Sequence, residues 1–167
     1  MSVAIANGRE KPWGYSQKPP RDPDKAVLRE RIASIIHELL QEGRGTTPEG
    51  IRYRTRVPPS SAAVEEVRGY GDAAIPVLNE YLWSRDSAES ELAMRFLGAL
   101  GGKQIVQPLR RVIRRHPSPA VRSAALRWLT QAPWESAAPI LREAADKDLD
   151  SGVRNTAREL LTKHFPK

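Results

Sequence analysis

The sequence predicts an all-α fold, a short right-handed α-solenoid of stacked helix pairs with an N-terminal capping helix. Two repeated patterns carry that prediction. LAMRFL (92–97) recurs as AALRWL (124–129), and AVRSAALRWL (120–129) recurs at the same offset as GVRNTARELL (152–161). Ala93, Ala125 and Ala157 therefore align, as do Leu97, Leu129 and Leu161. Between them runs a proline-centred series, AAIPVL, IVQPLR and SAAPIL. Its Pro76 and Pro108 keep that offset, and Pro139 falls a single position short of it. A fixed period of about 32 positions, with two amphipathic segments per unit, is the mark of a helical solenoid. No single pair buries its apolar face alone, so successive pairs stack into one core.

The elements follow in order. Residues 1–21 contain KPWGYSQKPPR, with prolines, glycine and alternating charges and no apolar period, and read as a flexible tail. Asp22 as N-cap, Pro23 at the first helical position and Asp24 in the first turn open a helix over 24–42. Its stripe is Val27, Leu28, Ile32, Ile35, Ile36, Leu39 and Leu40, and Gly43 suits the position after its end. Residues 44–60 are not helical. Ile51, Tyr53, Thr55 and Val57 alternate with Arg52, Arg54 and Arg56, an extended run bounded by Gly50 and Pro58-Pro59. Helix pairs are expected at 61–70 with 73–84, 87–100 with 105–116, and 119–131 with 135–146, and a single helix at 151–165 closes the array. Each repeat proline is placed near a helix start, where its missing N–H has no partner to lose.

HPSPAVRSAAL (116–126) and DLDSGVRNTA (148–157) resemble the D-P-D-x-x-V-R-x-x-A signature that opens the first helix of HEAT-like repeats. YGDAAIPVL (70–78) and LGALGGKQIVQPL (97–109) resemble the L-G-x-x-G-D-x-x-A-V-P-x-L signature joining the two helices. The resemblance covers about residues 61–165, making 22–167 a single HEAT-like repeat domain behind the tail. It implies a binding surface on the second helices, which usually line the concave side, and structural roles for Arg122 and Arg154 between repeats. Glu89 and Ser90 replace the signature's valine and arginine in one repeat, and Ala132-Pro133-Trp134 replaces the glycine turn in another.

Composition narrows the function classes. With no cysteine, a disulfide framework, a thiolate metal site and a thiol nucleophile are all excluded. The first residues show no basic and apolar leader pattern, and no apolar run approaches the ~18 residues of a membrane span. The expected setting is cytoplasmic. The net charge of +7 is concentrated: residues 85–130 carry +6, residues 1–84 carry +1 and residues 131–167 carry none. A localised basic patch points to an anionic partner.

That patch is RRVIRRH, in which Arg110 and Arg114, and Arg111 and Arg115, stand four apart on one helix. Arg142 aligns with Arg111 in the next repeat and extends the row. The competing reading is a solvated face whose arginines pair with Glu80 and Glu143. Arg52, Arg54 and Arg56 form a second basic candidate. Trp83, at the end of a second helix, is a candidate contact residue, as exposed tryptophan favours interfaces. DKDLDSG (146–152) imitates a calcium loop, but Ser151 and Ala157 stand where its glycine and bidentate glutamate belong. Asp148 or Asp150 as a helix cap explains it better. His37, His116 and His164 lie on separate elements, and no nucleophile, phosphate-loop or zinc motif occurs. The leading expectation is a non-enzymatic scaffold that binds a protein partner without cofactor, metal, membrane or small-molecule substrate. The alternative is nucleic acid or another polyanion held by the arginines. An enzyme of the HEAT-like lyase or glycosylase kind ranks third.

Overall fold

The computed structural model describes residues 24–42, 44–46, 52–54 and 60–164. Eight α-helices carry the described fold: α1 Lys25–Glu42, α2 Ser61–Tyr70, α3 Ala74–Tyr81, α4 Ser87–Leu100, α5 Val106–Arg115, α6 Pro119–Leu129, α7 Trp134–Lys147 and α8 Ser151–His164. Three stacked pairs, α2 with α3, α4 with α5 and α6 with α7, follow α1 and precede α8, as the repeat spacing predicts. The tail and the expected positions of Asp22, Pro23, Gly43 and Arg56 lie outside the described residues.

The pairs form two layers. Helix α4 packs on α2 and α6, and α6 packs on α8, so the first helices make one layer. Helix α5 packs on α7 in the second layer, and α1 packs on both α3 and α4 at the N-terminal end of the stack. One apolar cluster runs from Leu28 and Ile32 in α1 through Leu78, Phe96, Leu109 and Leu129 to Val153 and Ala157 in α8. In the segment between α1 and α2, β1 Arg44–Thr46 pairs antiparallel with β2 Arg52–Arg54, bringing Arg44 opposite Arg54. The expected extended segment is therefore one arm of a short hairpin.

Three local expectations need correction. Asp24 is not in the first turn of α1 but precedes it and caps it: its carboxylate accepts the Ala26 N–H at 2.8 Å. Val27 is 40% exposed and does not belong to the buried stripe, which begins at Leu28. Pro139 is not in a first turn. Pro76 and Pro108 stand third in their helices, each after a 3-10 turn (Gly71–Ala73 and Lys103–Ile105), whereas α7 starts at Trp134 and carries Pro139 in its interior. The cause is the Ala132-Pro133 turn. Pro133 sets the entry, its carbonyl accepts from Ser136 and Ala137, and the segment that is 3-10 in the other pairs becomes the first turn of α7. Gly101 does what the glycine turn requires, with φ +64° and its N–H on the Leu97 carbonyl at 3.0 Å.

Neighbouring repeats are joined by a recurrent loop device. Arg122 donates to the carbonyls of His116 and Pro117, and Arg154, its equivalent one repeat on, donates to those of Asp148 and Leu149. Arg122 also reaches forward to hold Asp148 with two bonds of 3.0 and 2.8 Å. In the preceding repeat the arginine is Ser90. Its hydroxyl still caps the carbonyl six residues back, at Ser84, but cannot reach forward. The position equivalent to Asp148 is there His116, and it packs instead against the Trp83 ring, centroids 5.7 Å apart. One joint is ionic and the other aromatic.

Packing between first helices uses a glycine. A Cβ on Gly98 of α4 would fall on the Trp128 ring of α6, within 2.8 Å of Cζ3 as well as on Cε3. Gly98→Ala should therefore destabilise the protein by about 1–3 kcal/mol through overpacking. A urea melt checks this, and an unchanged midpoint would show that Trp128 moves aside freely.

Candidate functional site

Helix α5 departs from its neighbours in the direction its apolar stripe faces. Counting from each repeat proline, the second residue on is Leu78 in α3 and Leu141 in α7, both fully buried, but Arg110 in α5. The sixth on is buried Leu82 and buried Ala145, but exposed Arg114. In exchange Val112 is fully buried, where the aligned Glu80 and Glu143 reach solvent. The core face of α5 is thus shifted around the helix, and two guanidinium groups stand at positions that hold apolar side chains on either side. Comparison of the repeats position by position contained this signal.

The four arginines have different surroundings. Arg114 is tied to Glu143 of α7 by two bonds of 2.8 and 2.6 Å, and this guanidinium, with Lys147 and Arg110 nearby, holds the Glu143 carboxyl below its ordinary range. Arg110 is half-buried, and its Nε is enclosed without a hydrogen-bond partner. Arg111 and Arg115 are exposed, as is Arg142 on α7, and none of the three has a salt bridge among the described residues. Glu80 does not serve α5; it pairs with Arg29 of α1. The expected neutralisation by Glu80 and Glu143 is therefore half realised. Arg52 and Arg54 fall on β2, in register with Thr46 and Arg44 of β1, away from the α5 cluster in the chain.

Below the arginine row lies a groove of about 440 Å³ between the C-terminal ends of α5 and α7 and the loops that follow them. Ile113, Ile140 and Ala144 supply its apolar wall, while Arg114, Arg115, Arg122 and Lys147 bring four cations against the carboxylates of Glu143 and Asp148. His116 also lines it. Burial pushes the His116 imidazole below its ordinary pKa of 6.5, and its Nδ1 accepts the Ser118 N–H at 3.2 Å, so the ring is neutral near pH 7. The loop after α7 is not a calcium site in its chemistry. Asp148 is engaged by Arg122, and Asp150 caps α8 through the Val153 N–H at 3.0 Å.

Trp83 is 41% exposed where α3 ends, and Leu149 in the loop after α7 is 97% exposed. Trp134 is half-buried against the core, and Trp128, also half-buried, covers Gly98 and lines a separate groove beside α4 and α6. His37 and His164 are exposed and far apart in the chain, and among the described residues no group of three histidine, aspartate or glutamate side chains is placed to hold a metal ion. No described helix is long and apolar enough to cross a membrane.

The family model for HEAT repeats matches residues 75–162, just over half of the 167-residue chain. The chain belongs to the HEAT-repeat family. The matched span runs from α3 into α8 and includes the α5 arginines and the groove beneath them. No curated protein and no solved structure matches the chain. HEAT repeats commonly mediate protein interactions and are typically non-enzymatic, which fits the stacked pairs and the open second-helix layer.

Proposed function

We propose that this HEAT-repeat protein is a non-enzymatic binding module that recognises an acidic segment of a protein partner across its second helices, in the cytoplasm. One observation carries the reading: Arg111, Arg115 and Arg142 stand exposed on adjacent helices with no acid of the described chain paired to them. Close like charges gain nothing from one another in the free protein, and a carboxylate partner relieves the repulsion and uses the guanidinium forks. The charge pattern favours a protein over nucleic acid. Glu80, Glu143 and Asp146 interrupt the same layer, whereas phosphate recognition is served by a continuous cationic track.

The test uses Arg111→Glu combined with Arg142→Glu. Arg114 is left alone, because reversing it would set a carboxylate against Glu143. The double variant should keep the wild-type melting temperature. In a pull-down from the native host, its partner should be lost, while wild-type capture survives nuclease. Capture abolished by nuclease would transfer the role to nucleic acid. In that case, log affinity should fall steeply with log salt, and the slope should shrink by about one unit per lost phosphate contact. Unchanged capture by the double variant would show a solvated face.

A further inference from the structure

The groove at the ends of α5 and α7 has features that a general basic surface lacks. Three large hydrophobic side chains are exposed among the described residues, Val27, Trp83 and Leu149; one lines this groove and another touches a residue that lines it. Leu149 forms part of its wall. Trp83 is in ring contact with His116, which also lines the groove. A leucine left almost wholly in water gains nothing in the free protein; burying it stabilises whatever complex covers it. Ile113, Ile140 and Ala144, themselves largely buried, form the apolar wall of the groove.

Charge around the groove is equally selective. Both carboxylates lining it are held by arginines in two-bond pairs, Glu143 by Arg114 and Asp148 by Arg122. Arg115 and Lys147 remain on its edge without an ion pair among the described residues. Two cations outside the two-bond pairs, beside a groove lined by an exposed leucine, complement one kind of occupant.

We infer that this groove anchors a short acidic protein segment by one large apolar side chain, seated against Ile113, Ile140 and Leu149, with flanking carboxylates on Arg115 and Lys147. The inference rests on the protein-binding reading above and narrows it to one end of the second-helix layer. A nucleic acid strand would use the two cations but gain little from Leu149, which carries no aromatic face for a base to stack on.

The inference is tested with displayed short random peptides, selected on the full chain and counter-selected on Lys147→Glu with Leu149→Ser. Both residues are exposed, so this variant should melt with the wild type. Enriched sequences should carry aspartate or glutamate around one leucine, isoleucine, methionine or aromatic residue. In fluorescence anisotropy, an enriched peptide should bind the groove variant at least tenfold more weakly. Replacing its apolar residue by serine should also cost about tenfold, as the loss of one buried side chain does. Arg127→Glu, on the first-helix side, should leave binding unchanged. Failure to enrich such peptides, or equal binding to wild type and groove variant, overturns the anchor. If peptides that ignore the groove variant are still lost on Arg111→Glu with Arg142→Glu, the wider second-helix reading survives alone. If only a single-stranded oligonucleotide binds, both readings fall.

Discussion

Arg122→Ala lowers the stability of the protein by about 3 kcal/mol, because it strips one partner from a mostly buried ion pair. The side chains of Arg122 and Asp148 are only 12% and 7% exposed. Without the guanidinium, the carboxylate stays enclosed with only the Asp150 N–H, and the carbonyls of His116 and Pro117 lose their donor. The same pair gives the fold an acid dependence. The Arg122 hydrogen bonds, above all, hold the Asp148 carboxyl below its ordinary 3.8. A depressed folded value means that the unfolded chain takes up the proton first. The contribution is therefore complete above about pH 4 and is lost as pH falls through the folded value. Urea melts at pH 7 and at acid pH should show Arg122→Ala costing less as the pH falls through the folded value. Equal cost at both would mean that packing of the arginine stem, not the pair, stabilises this joint.

Leu129→Ala should destabilise by about 2–5 kcal/mol, the range for truncating a buried leucine. Leu129 is fully buried, as is the aligned Leu97 one repeat earlier, and α6 packs between α4 and α8 with little freedom to collapse into a void. Arg115→Ala, exposed at the end of α5, should change stability by about 0.5 kcal/mol or less. Thermal melts of the two variants side by side provide the check. Coincident midpoints would mean that the inward and outward faces of the stack are misassigned.

Legibility differed between parts of the molecule for a physical reason. The helix pairs could be read because apolar spacing and turn residues act between chain neighbours and recur from one repeat to the next. The residue pattern put Asp24 in the first turn of α1; that its carboxylate caps the helix through the Ala26 N–H is known only once that turn is in place. Trp83 could be singled out as a contact residue, but its partner His116 could not, since they lie a whole repeat apart in the chain and Trp83 occupies no fixed slot of the repeat signature. The arginines of α5 were legible as a cluster, not as individuals. Which of them is paired, half-buried or free depends on how α5 is turned between α3 and α7.

The sequence by itself determined the fold class, the number and order of the helix pairs, the buried leucines and alanines of the repeat, and the location of the positive charge. All of these follow from short-range periodicity and composition. Only the tertiary structure decided that α1 packs on both α3 and α4, that Glu80 serves Arg29 while Glu143 serves Arg114, and that Leu149 lines a groove whose His116 touches Trp83. Each of these depends on how helices distant in sequence are rotated and offset against one another. That choice is made by the packing of the whole core, not by any one segment of the chain.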